Sequence, residues 1–361
     1  MSEAVRRHYE EYPYPHYPLL ASLRRGDTYA LNLDALWVRC NGELPPPEQI
    51  RILIAGCGSF APYPFSVANP SAAITALDLS KRSLHRARLH CLLHGRRNVT
   101  FQSGDLADGS LAAGPFGLID AYGVLHHLDD PLAGLRALAA RLAPGGILRV
   151  MLYSRYARQA EESIRRALRL LKVQNPAEVK RLIARAKPDS RLKTYAAASP
   201  EAGFAAGLAD ALLHPRVHTY RLDDILQLIS HSGLELLFFA HTGALDDNGQ
   251  ELERIRSMEA QKDSPGNFVF YLGRNTRGHC HDNESSDLLL NPCLRDAVSR
   301  LSLGTTRIPA RLGHVNPALG HRERAFLRRF IRPVPWSTLS ADERAMAAVY
   351  IPALFLLQYR R

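Results

Sequence analysis

The stretch Arg51-Ile-Leu-Ile-Ala-Gly-Cys-Gly-Ser-Phe60 constrains this chain more than any other. Its first half is almost wholly apolar, the pattern of a strand buried on both faces, and such strands belong in parallel sheets covered by helices. The Gly56-Cys57-Gly58 turn follows at once, and glycine there lets the backbone approach a ligand. A second apolar run, Ala73-Ile-Thr-Ala-Leu-Asp78, ends in an acid 22 residues after Gly56. An apolar strand, a bare turn and an acid closing the next strand make a ribose-binding arrangement.

That arrangement serves both nicotinamide dinucleotides and S-adenosylmethionine (SAM). The residues after the turn disfavour the dinucleotide. Ala61 stands where a G-x-G-x-x-G fingerprint needs its third glycine, and Pro62 and Pro64 follow. A pyrophosphate uses free N–H groups at a helix start, and proline removes them.

From 50 to about 154 strand and helix patterns alternate. Strands are expected at 51–55, 73–77, 99–103, 117–122 and 146–153. Helices are expected at 80–94, with Ser80 as N-cap, and at 130–142, with Asp130 as cap and Pro131 in first position. Residues 1–49 read as a polar, aromatic-rich leader in which Tyr9-Glu-Glu-Tyr-Pro-Tyr-Pro-His-Tyr-Pro18 favours extended structure. Residues 155–219 read as a helical insertion. Between 155 and 193 twelve Lys/Arg outnumber four acids, which accounts for most of the chain's net charge of +11. A helix at 221–231, a strand at 234–240, a helical linker at 248–261 and a strand at 267–273 follow. The last two strands are expected to pair as an antiparallel edge. Residues 275–361 read as a mostly helical extension, with helices at 321–331 and 340–359, the second capped by Ser340 and Glu343 and kinked at Pro352.

At this point the chain resembles the class I SAM-dependent methyltransferases. Ile52 to Ser59 is similar to that family's first motif and Ala76-Leu-Asp-Leu-Ser80 to its second. Ser103-Gly-Asp-Leu106 resembles the adenine-contacting motif, and Phe116 to Leu128, with Gly-Val-Leu-His-His inside it, the fourth-strand motif facing methyl transfer. Pro144-Gly-Gly146 matches the turn before the fifth strand. The Tyr-Pro leader, Leu152-Tyr-Ser-Arg-Tyr-Ala-Arg158 and Glu259 to Phe270 resemble a bacterial subgroup of that family. Two positions depart from it: Ala55, where an acid or larger residue is usual, and Phe60, where a third glycine is frequent.

The resemblance implies an α/β fold: a Rossmann-like, seven-stranded methyltransferase sheet at 50–274 with the insertion as a substrate lid. It implies SAM as cofactor, bound by Gly56, Cys57, Gly58, Asp78, Leu79, Gly104, Asp105, Leu106, Tyr122, Gly123 and Tyr12. The leader (1–49) would close over the cofactor, bringing Tyr14 to the methyl site. A methyl on a sulfonium is already activated, so the protein must mainly align a nucleophile and exclude water. Where that nucleophile carries a proton, an imidazole base suits, and His126 and His127 stand in the right motif. The same pair also reads as pocket wall. His214 and His218 would reach the pocket from beneath.

The expected acceptor is a small molecule or peptide, and the basic charge favours an anionic one. An RNA acceptor is the weaker alternative, because the insertion has few aromatics for base stacking. A non-catalytic SAM-binding protein is a third reading. A homodimer is compatible with all of them. Five scattered cysteines argue for a reducing compartment. No apolar run nears the roughly 20 residues that span a bilayer, and Met1 to His8 lack the apolar segment of a signal peptide. A cytoplasmic protein without membrane contact is expected. His279, Cys280 and His281 are too closely spaced to share a tetrahedral zinc, so no metal is expected.

Overall fold

A computed structural model describes residues 3–280, 284–299 and 304–360. The N-terminal segment supplies α1 (Glu3–Glu11) and α2 (Leu33–Asn41). Alternation then gives β1 (Arg51–Ala55), α3 (Pro62–Ala68), β2 (Ala73–Asp78), α4 (Lys81–Leu93), β3 (Val99–Ser103), β4 (Phe116–Tyr122), α5 (Pro131–Arg141) and β5 (Leu142–Leu152). The insertion holds α6 (Gln159–Leu170), α7 (Pro176–Arg185), α8 (Arg191–Ala198) and α9 (Ala205–Leu208). Next come α10 (Leu222–Ser230), β6 (Glu235–Phe239), α11 (Asn248–Ala260) and β7 (Phe268–Gly273). The C-terminal part adds β8 (Ser286–Leu290), α12 (Arg295–Ser299), α13 (His321–Arg328), β9 (Val334–Pro335), α14 (Ala341–Tyr350) and β10 (Leu356–Arg360).

Seven strands form one sheet in the order β3-β2-β1-β4-β5-β7-β6. The first five are parallel, and β7 runs antiparallel to both β5 and β6. The strand order reverses between β1 and β4, so a crevice opens at their C-terminal ends, where open α/β sheets bind ligands. Both strands are buried along almost their whole length, as their apolar sequences require. The one charge in the middle of β4, Asp120, sits opposite Arg149 of β5 in register and pairs with it at 2.6 Å. The expected caps are present: Ser80 accepts from the Ser83 N–H and Asp130 from the Ala133 N–H.

Two expectations need correcting. The leader is not extended throughout, because α1 runs to Glu11 before the prolines begin and α2 forms past them. The C-terminal extension is not mostly helical: β10, β8 and β9 form an antiparallel three-stranded sheet. Pro352 does not kink a long helix there. The helix ends at Tyr350, and Leu356–Arg360 turn back to pair with β8. Proline cannot continue the intrahelical ladder, and the apolar run beyond it is long enough for a strand.

Residues 25–41 join the two sheets in one core. Tyr29 meets Phe355 edge-on at 5.4 Å, and the buried Asn291 amide donates to the Tyr29 and Leu354 carbonyls. Trp37, 2% exposed, lies against Gly117 and Gly145, where a Cβ would come within 3.4 and 3.0 Å of the indole. Trp37→Ala is therefore expected to cost about 3–5 kcal/mol, read as a lower denaturation midpoint in urea.

Candidate active site

The glycine turn after β1 places Gly56 and Gly58 at φ +64° and +56°, a region that side-chain-bearing residues rarely adopt. A Cβ on Gly56 would stand 2.6 Å from Val124, and one on Gly58 would stand 2.5 Å from the Tyr14 carbonyl oxygen. Between them the Cys57 N–H donates to the Leu77 carbonyl, and its buried thiol is pushed well up by desolvation.

Asp78 closes β2 beside this turn. One carboxylate oxygen accepts the Gly58 N–H at 2.7 Å and the other the Ser80 N–H at 2.8 Å. Each oxygen keeps a lone pair for a hydroxyl. Burial raises this carboxyl to about 6, against the pull of the Ser80 and Gly58 bonds. The sign matters for a ligand: a ribose needs the ionised form. SAM affinity is expected to hold from pH 8 to about 6.5 and to drop about tenfold per unit well below pH 6, measured by calorimetry across that range. The apo fold responds oppositely. A carboxyl raised in the folded state favours folding below its unfolded value near 4 and loses that contribution as pH rises through 6.

The neighbouring motif is in place. The Gly104 N–H donates to the Asp78 carbonyl, and Asp105 accepts the Ala107 N–H in the turn after β3. Leu79 is half-buried beside Asp78, and Leu106 is buried, its carbonyl held by Arg141. Tyr122, 45% exposed, ends β4 beneath the Arg149 guanidinium, 4.8 Å away, and Gly123 turns the chain at φ +81°.

The leader lies across this surface. Glu10 of α1 accepts the Lys81 and Arg82 N–H groups, so its carboxylate caps the positive end of α4. The Ser80 hydroxyl donates to the Tyr9 carbonyl, and the Ser59 N–H to the Tyr14 carbonyl. Tyr12 is half-buried near His8. Two surface clefts, of about 250 Å³ beside Arg165 and His214 and about 340 Å³ beside His218 and Arg155, include neither Asp78 nor the glycine turn. The leader backbone covers that turn.

Past the leader, aromatic rings from four segments meet. His126 is 0% exposed and stacks on Tyr153, 3.8 Å between centroids, with both ring nitrogens unpartnered among the described residues. Desolvation holds it well below its usual range. The His127 Nδ1 lies 2.8 Å from the Arg216 carbonyl, which can only accept, so that nitrogen carries the proton. Its ring stacks on His214 at 3.8 Å and is pushed down to about 3, again by desolvation. At neutral pH both rings are uncharged and weak bases. His214 joins the cluster, whereas His218 reaches the Leu128 carbonyl instead.

Tyr14 donates to Glu201 at 2.9 Å, and Tyr9 to Asp210 at 3.0 Å. Sequence reading singled out Tyr14 and missed Asp210, Glu201 and Tyr153 as site residues. A lone acid inside the apolar run Leu208-Ala-Asp-Ala-Leu-Leu213 was the available signal for Asp210. Among the described residues no group of three or more His, Cys, Asp or Glu is placed to hold a metal; His281 lies outside them.

Residues 53–148 match the methyltransferase domain family. The chain carries a methyltransferase domain over that span. The chain is 29% identical to an uncharacterized protein of Synechococcus sp. across 92% of its own length and 86% of the relative's. It is 34% identical to the ubiquinone biosynthesis O-methyltransferase of Vibrio parahaemolyticus over 27% of this chain and 40% of that one. Its fold is similar to PKMT2 from Rickettsia typhi, solved in complex with AdoHcy, at a TM-score of 0.55 and 13% identity, covering 96% of this chain and 77% of that one. The cradle of Gly56, Gly58 and Asp78 fits SAM as a cofactor. The glycine turn is stripped of side chains, and the acid keeps spare lone pairs. No helix among the described residues is long and apolar enough to cross a membrane.

Proposed function

We propose that this enzyme transfers a methyl group by in-line displacement to a proton-bearing nucleophile on a small molecule or peptide. The observation that carries this reading is the packed cluster of Tyr9, His127, Tyr153 and His214 rings beside the Asp78 cradle. Such walls exclude water and fix an acceptor, which is most of what methyl transfer demands of a protein. Bound SAM supplies an electrophilic methyl carbon on a positively charged sulfur.

In this reading Gly56, Cys57 and Gly58 meet the amino-acid end through their backbone, and Asp78 with Leu79 takes the ribose. Gly104, Asp105 and Leu106 border the adenine. Tyr122, Gly123 and Tyr12 flank the methionine end. Tyr14, His126 and His127 line the transfer end, the two histidines as neutral wall. The leader and the insertion close the acceptor side.

Calorimetry with SAM, followed by incubation of tritiated SAM with fractionated lysate, tests the reading. Micromolar binding and label in a low-molecular-mass or peptide fraction are expected. A second reading, an RNA acceptor, draws on the exposed basic residues of the insertion, among them Arg166, Arg169, Lys172, Lys180 and Arg181. Label in RNA, with a gel shift that weakens steeply between 50 and 200 mM salt, would establish it instead.

A further inference from the structure

We propose that Asp210 is the group that removes the acceptor's proton, with Tyr9 as the residue that positions it. The proposal rests on the methyl-transfer reading above and adds the base which that reading leaves open. Asp210 lies on Ala209–Leu213, a π-helical turn at the end of the insertion, and such turns recur at functional sites. It is 5% exposed. One carboxylate oxygen accepts the Tyr9 hydroxyl, and the carboxylate has no other hydrogen bond and no ion pair among the described residues. A buried carboxylate held at one oxygen and open at the other is oriented yet able to take a proton.

Tyr9 ties that carboxylate to both halves of the site. Its carbonyl accepts the Ser80 hydroxyl, two residues from Asp78, and its ring lies 6.2 Å from His127 and 5.3 Å from His214. The His214 Nδ1 accepts the Arg216 N–H, so its proton is on Nε2, which is buried in the same cluster without a partner among the described residues. That donor offers a second contact to an acceptor molecule.

The groups facing Asp210 come from every neighbouring element. Glu201 and its partner Tyr14 lie on one side, with Tyr9, Tyr153, Arg158 and Arg165 around the rest. Burial, reinforced by Glu201, raises Asp210 to about 7, while the Tyr9 bond and the two guanidiniums pull the other way. A base works best when its pKa is near the working pH. Neither His126 nor His127 meets that condition.

The step balances without a further reagent. The acceptor's X–H bond breaks and its proton goes to the open Asp210 oxygen. The freed pair on X forms the bond to the methyl carbon, and the pair of the broken C–S bond stays on sulfur, cancelling its charge. Asp210 later returns the proton to solvent.

The test uses the full-length enzyme, tritiated SAM and the lysate fraction that the wild type labels. Asp210→Ala is expected to lower labelling at pH 7.5 by at least 100-fold while SAM affinity stays within threefold. Added formate should restore at least tenfold in Asp210→Ala and do nothing for the wild type. The wild-type rate should fall about tenfold per unit below pH 7, a slope missing from residual Asp210→Asn activity. Independently of turnover, the carbon-13 carboxyl resonance that Asp210→Asn removes should titrate near 7 and move in Tyr9→Phe. Near-wild-type labelling by Asp210→Ala, failure of formate rescue, or parallel loss of SAM binding overturns the proposal alone. A wild type that binds SAM and labels nothing overturns the methyl-transfer reading, and this proposal with it.

Discussion

Asp78→Asn is expected to weaken SAM binding by about 100-fold or more while leaving a folded chain. Hydrogen bonds from hydroxyls to a charged acceptor are each worth about 1.5–3 kcal/mol, so losing the charge under two ribose hydroxyls removes up to about 3–6 kcal/mol. The substitution keeps the volume but changes what the site offers. An amide has one accepting oxygen, and its NH₂ would face either the Gly58 or the Ser80 N–H. The local turn therefore loosens. Part of that loss is offset, because the wild-type carboxylate is disfavoured by its own burial. Calorimetry and a thermal melt together decide the matter. An affinity within threefold of the wild type would remove Asp78 from the ribose site.

Gly58→Val is expected to displace the leader and to weaken SAM binding at least tenfold. Its φ of +56° costs a β-branched residue on the order of 1–2 kcal/mol, and its Cβ would stand 2.5 Å from the Tyr14 carbonyl. The Ser59 N–H to Tyr14 bond cannot survive that contact. Trypsin should then cut faster after Arg6, Arg7 and Arg24. Gly95→Val is the control, since φ there is +68° and nothing lies within 4 Å of its Cβ position. It carries the backbone strain without the collision. Equal proteolysis of the two variants would mean that strain, not leader contact, produces the effect.

The sheet was legible because its signals are local. Apolar runs and Ser80 and Asp130 as caps each act within a few residues, and alternation implies a parallel sheet; Pro144-Gly-Gly146, expected to turn the chain before the fifth strand, lies inside β5 instead. The glycine turn beside Asp78 was legible for the same reason: Gly56, Gly58 and Asp78 come together through one turn and one strand end. The acceptor side was not. Tyr9 and Asp210 lie 201 residues apart in sequence and Tyr14 and Glu201 187 apart, and only the tertiary fold makes phenol–carboxylate pairs of them. His126 and His127 were readable as candidates, but their protonation was not, because burial in the tertiary fold sets it. Leu356–Arg360 misled for a different reason. An apolar run after Pro352 carries no periodicity long enough to separate helix from strand.

The leader is fastened unevenly. Residues 25–41 are locked into the core between the two sheets, whereas α1 buries only Val5 and otherwise holds on through hydroxyl, phenol and carboxylate contacts at the cleft rim. An opening of α1 would hinge before Leu19, whose carbonyl is held by His94 as that of Ala21 is by His90, swinging residues 3–18 outward as a tethered flap. Exchange of spent for fresh methyl donor would then run at the flap's unlatching rate. Stopped-flow release of adenosylhomocysteine should accelerate when Glu10 loses its carboxylate, with the donor's own contacts untouched.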